Sequence, residues 1–79
     1  MDEKKVLYQM ILTIWELMKK YCFTQLDDDG WQAMTDEANK LSNEYRQYNE
    51  NIRRLFCDIY FAFERYKAAR DKGERENVA

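Results

Sequence analysis

The sequence predicts an all-α fold, a compact up-down-up three-helix bundle. Three observations carry that expectation. Apolar residues recur at helical spacing along most of the chain. Among 79 residues there is no proline to interrupt a helix, and only two glycines. Capping residues around Asp27 and around Asn49 divide the apolar pattern into segments of similar length. The chain supplies one domain, 1–72, whose core is marginal because small domains bury a smaller share of their surface. The alternative is a helical hairpin in which the second and third segments join into one long helix and dimerise into a four-helix bundle.

The first helix is expected over about 2–22. Asp2 and Glu3 at its start and Lys19 and Lys20 at its end suit the helix dipole. From Val6 to Phe23, 13 of 18 residues are apolar. Leu7, Ile11, Ile14, Met18 and Tyr21 form the expected core stripe. Tyr8, Leu12 and Trp15 lie on a second line roughly 80° away. Val6, Met10 and Leu17 fill the opposite flank, and only Gln9, Thr13, Glu16 and Lys20 mark a polar side. This apolar surface is wider than a helix on the outside of a small domain needs.

The second helix is expected over 28–48, opened by the carboxylates of Asp27, Asp28 and Asp29. Trp31, Met34, Ala38, Leu41, Tyr45 and Tyr48 make a heptad stripe. The same register continues through Ile52, Leu55, Ile59, Ala62, Tyr66 and Ala69, which is what makes a continuous helix conceivable. Asn49 as a cap and Glu50 in a first turn favour a break, although Arg53 and Arg54 in that turn oppose the dipole. The third helix then covers 51–72. Its expected core face is Ile52, Leu55, Phe56, Ile59, Phe63 and Tyr66. Residues 73–79 are expected to form a flexible polar tail.

Composition excludes more than it identifies. There is no histidine, neither cysteine has a base to activate it, and the two glycines stand apart, so the chain reads as no enzyme. Cys22 and Cys57 fall at levels of the bundle about 20 Å apart and are expected as free thiols. Two thiols without histidine hold no structural zinc. Gln25 to Gly30 faintly resembles a calcium loop, but Gln25 and Asp36 fill the first and twelfth places poorly, so a helix cap is the better reading. Neither a metal nor any other cofactor is expected. The start MDEKK has no net positive charge, and Gln9, Thr13 and Glu16 break the apolar run. No secretory signal and no membrane span is therefore read, and a cytoplasmic location is expected.

Charge is uneven. Residues 1–20 sum to +1, 21–51 to -5 and 52–79 to +2, for a net of -2. The basic residues of the last third are interleaved with acids. Lys67, Arg70 and Lys72 suit a helix C-terminus, which leaves direct nucleic-acid binding a weak reading.

What remains is binding to protein: a small non-catalytic module acting as a homo-oligomer, or as an adaptor or inhibitor of another protein, with no small-molecule substrate. Two patches would carry it. One is Tyr8, Leu12 and Trp15, exposed unless two neighbouring helices cover them. The other is Phe61, opposite the core stripe of its helix, with Arg54, Cys57 and Arg65 nearby, a hot-spot composition. An alternative is an acidic decoy for a nucleic-acid-binding groove of another protein, using Asp29, Asp36, Glu37 and Glu44.

Overall fold

Three helices account for most of the described residues. The computed structural model describes residues 2–77, with side chains to residue 73. Helix α1 spans Glu3–Tyr21, α2 Asp28–Arg46 and α3 Glu50–Asn77, and no strand occurs among the described residues. The tertiary fold is an up-down-up three-helix bundle.

Each start is fixed by the side chain that caps it. Asp2 accepts from the Lys5 amide at 3.2 Å, and Asp27 from the Gly30 amide at 2.7 Å. Asn49 Oδ1 accepts from the Ile52 amide at 2.8 Å. Each bond satisfies an amide that has no partner within its helix. The Asn49 cap decides between the two architectures: the chain breaks there and folds back, so the long second helix is excluded. The unfavourable arginine in the first turn of α3 is offset locally. Arg53 Nε donates to both oxygens of Glu50 at 3.0 Å.

The order of contacts gives the topology. Glu44, Tyr45 and Tyr48 at the end of α2 border Lys5 and Val6 at the start of α1. The carbonyl of Cys22, just after α1, meets Lys67 near the end of α3. So α1 and α3 run parallel and α2 runs against both. The interior holds Met10, Ile14, Leu17 and Tyr21 from α1, Met34, Ala38 and Tyr45 from α2, and Ile52, Phe56, Tyr60 and Phe63 from α3, closed by Cys22. Aromatic rings run along its length. Tyr45 and Phe56 lie 5.3 Å apart between centroids, and Tyr60 meets Phe63 edge-on at 5.9 Å. The closest pair is α2 and α3, where Ala38 and Ser42 are small enough to admit the rings of the facing helix.

Two expected core faces are rotated. In α1 the interior takes Met10 and Leu17, while Ile11 is 57% exposed and Leu7 and Met18 are half-buried. In α3 it takes Tyr60 and Lys67, while Leu55 and Tyr66 face outward. The cause is the same in both: each helix carries two apolar stripes, and only the packing of the other two helices selects which one turns inward. The end of α3 also differs from the expected polar tail. The helix continues through Gly73, which has no positive φ to stop it, as far as Asn77. Residues 78 and 79 of that tail lie outside the described residues.

Lys67 is fully buried. Its ammonium donates to the carbonyls of Thr24 at 2.8 Å and Cys22 at 3.3 Å, and to Asp71 Oδ2 at 2.9 Å. It lies 5.3 Å from the centre of the Trp31 ring. All three donor positions of the ammonium have acceptors, as a buried charge requires. This side chain fastens the loop between α1 and α2 to α3, where the sequence suggested only a solvated helix end.

Candidate functional site

The patch expected on the first helix is exposed. Tyr8 is 63% accessible, Leu12 44% and Trp15 46%. Neighbouring helices do not cover them, because α1 occupies a corner of the bundle and not its middle. Ile11, expected inside, joins them, so Tyr8, Ile11, Leu12 and Trp15 form an i, i+3, i+4, i+7 stripe on the outside of α1. Lys19 extends it, with its ammonium 5.7 Å from the centre of the Trp15 ring and 2.8 Å from Glu16.

Contacts between helices show where this stripe points. The flank of α1 that faces α2 is the opposite one: Lys20 and Tyr21 reach Glu37 there, and Thr13 and Glu16 border a groove with Leu41. The flank of α3 that faces α2 carries Cys57, whose sulfur lies 3.5 Å from Ser42 Oγ. The remaining flanks of α1 and α3 therefore meet along the α1–α3 seam. On α3 that flank bears Leu55, Ile59, Ala62, Tyr66 and Ala69, at 100–180° on a helical wheel begun at Glu50. This is the heptad register that ran on from the second helix. In α3 it lies at the surface and continues the α1 stripe sideways.

Phe61 does not belong to this face. It is 52% exposed and lines an open groove of about 790 Å³ between α2 and α3, with Arg54 and Cys57 beside it and Asn39, Ser42 and Arg46 opposite. The Phe61 ring rests against Tyr60, with centroids 5.8 Å apart. Arg65 is exposed and does not line the groove. The expected contact set thus separates into two surfaces: Tyr8, Leu12 and Trp15 at the α1–α3 seam, and Arg54, Cys57 and Phe61 at the α2–α3 seam. Cys57 is half-buried and also accepts from Arg53 at 3.5 Å. Cys22 is free and buried, and that burial pushes its thiol pKa up, which makes it a poor nucleophile.

The four acids of the decoy reading divide as well. Glu37 turns toward α1, where it accepts from the Tyr21 hydroxyl at 2.7 Å and from Lys20 at 3.2 Å. The Tyr21 hydrogen bond, opposed by partial desolvation and helped by Lys20, holds this carboxyl below the usual glutamate range. The same bond raises the phenol. Glu44 borders the α1–α2 groove. Asp36 faces away and accepts from Gln32 at 2.8 Å, and Asp29 is exposed in the first turn of α2. Among the described residues no three acids or thiols gather in a way that could hold a metal, and no helix is long and apolar enough to cross a membrane.

No family model matches the chain, and neither a curated protein nor a solved structure does.

Three large exposed members of the seam, Ile11, Leu55 and Tyr66, are ones that sequence periodicity places in the core. Leu55 and Tyr66 share a register with Ile52 and Ile59, and on periodicity alone they read as core. The signal was present as a second stripe, Ile52, Phe56, Phe63 and Lys67. Three of these belong to the expected core face, but the stripe ends on a lysine, which gives no apolar signal to set it above the Leu55 and Tyr66 register.

Proposed function

We propose that this chain is a non-catalytic protein-binding module that engages its partner through the apolar face along the α1–α3 seam. The observation that carries the reading is the exposure of Trp15 and Tyr8 together with Ile11 and Leu12 in one helical stripe. Isolated exposed apolar residues are ordinary on any protein, but contiguous ones rich in aromatics mark contact surfaces. The chemistry of the face suits adhesion. Its side chains offer area and ring faces, and no group placed to move a proton or attack a substrate. Two free thiols, one of them buried, agree with a reducing compartment such as the cytoplasm.

Site-specific photo-crosslinking in the native host tests this. A benzophenone side chain at Leu12 or Tyr8 is expected to give discrete protein adducts that disappear in an Ile11→Glu background. The same group at Gln32, on the outer side of α2, is expected to give none. Equal labelling from all three positions, or from none, rejects the reading.

A further inference from the structure

Resting on that reading, we infer that the occupant of the α1–α3 face is a second copy of this chain, and that the protein is an isologous dimer built on this seam.

Area supports this first. Tyr8, Ile11, Leu12, Trp15, Leu55 and Tyr66 are each between 41% and 63% exposed. At about 200 Å² for a large side chain laid fully bare, they present roughly 600 Å². One partner of a standard interface contributes about 800 Å², of which some 65% is apolar in homodimers, or about 520 Å². The face supplies that share by itself. It also stands at the upper limit of the largest patch found on an ordinary monomer.

Shape supports it next. The two halves of the face are unlike. On α1 it is a ridge of bulky side chains. On α3 it is interrupted by Ala62 and Ala69, both exposed, which leave dips beside Ile59 and Tyr66. Because α1 and α3 are parallel neighbours, a two-fold axis along the bundle sets the ridge of each copy over the dips of the other. That is self-complementarity of the kind an isologous interface requires. A helical partner would add knobs to such holes at heptad spacing, and this chain already carries them.

Charge does not oppose it. On the helical wheel Lys4 and Lys19 lie on the α1 stripe itself, at its two ends, and Asp58 and Arg65 border the face on α3; no carboxylate lies inside it. Lys19 is already paired with Glu16. Lys4 is exposed at the open end of the stripe, where its ammonium stays in water while the apolar centre of the face is covered.

The test is solution mass by sedimentation equilibrium on the full chain, with far-UV circular dichroism on every variant. The wild type is expected at twice 9.7 kDa. Ile11→Glu on the ridge and Ala62→Arg in the dips, made separately, are each expected to raise the dimer dissociation constant at least about 100-fold, with helicity retained. Asn39→Arg, in the α2–α3 groove, is expected to leave it unchanged. If one variant unfolds, the other carries the test, because they lie on different helices. A wild type that stays monomeric up to about 100 µM overturns the dimer. So does a dimer that survives both seam variants or dissociates on Asn39→Arg. If the chain is monomeric while crosslinks from Leu12 capture a different protein, the second copy is refuted and the binding face stands. If no crosslink forms at all, both fall.

Discussion

Replacing Lys67 with methionine removes the ammonium while keeping most of the stem's volume. In the native chain that ammonium satisfies the carbonyls of Cys22 and Thr24 and one oxygen of Asp71. Asp71 is itself buried, and its Oδ1 has no hydrogen-bond partner among the described residues. Lys67→Met therefore strands a carboxylate and deprives two loop carbonyls of a donor. Removing one member of a buried pair costs about 3–5 kcal/mol. A domain of this length has a total stability of about 4–12 kcal/mol. The variant is thus expected to lose between about a quarter and all of its stability at 25 °C. Urea titration followed by circular dichroism and by the fluorescence of Trp31, which the ammonium overlies, reads the loss. The double variant Lys67→Met, Asp71→Leu removes the stranded charge and should regain at least about 2 kcal/mol, since a buried pair replaced by apolar groups is often neutral. A single variant that loses less than about 1 kcal/mol, or a double variant no better than the single, refutes the idea that this pair pins the loop.

Three further outcomes follow from the geometry. Asn49→Ala removes the cap that separates α2 from α3 and should cost about 1 kcal/mol in chemical denaturation, within a range of about 0.5–2. Phe56→Ala, deep in the aromatic row, should cost about 3–5 kcal/mol, while half-exposed Phe61→Ala should cost about 1 kcal/mol or less in the monomer, read by the same titration. The Glu37 carboxyl, held low by the Tyr21 hydroxyl, stabilises the fold above its ordinary titration range. That contribution is lost as pH falls through the depressed value. Thermal melts between about pH 6 and pH 3 should show it, and Glu37→Gln should flatten that part of the profile.

Much of the fold was legible because its punctuation is local. Asp27 and Asn49 each announce a helix start by chemistry that depends on three or four neighbouring residues, and each caps as expected; Asp2, expected only as a favourable charge at the first helix's start, caps as well. Orientation about the helix axis was harder to read. When Met10 and Ile11 are both apolar and adjacent, periodicity alone gives no reason to bury one and expose the other. The choice is made by the core residues of the other two helices, against which Met10 is buried. The same ambiguity moved Leu55 and Tyr66 from core to surface. Lys67 was opaque for a different reason. A buried ammonium needs acceptors, and two of its three are backbone carbonyls 43 and 45 residues away. No local pattern reveals them.

That long-range attachment also orders events during synthesis. The connection between α2 and α3 is short and these helices make the closest pairing, so they can associate by nearby contacts, which form quickly. The turn after α1 has no such independence: its carbonyls wait for an amine that follows 43 and 45 residues later. Helix α1, greasy on two sides, is therefore expected to complete its docking only after α3 has formed.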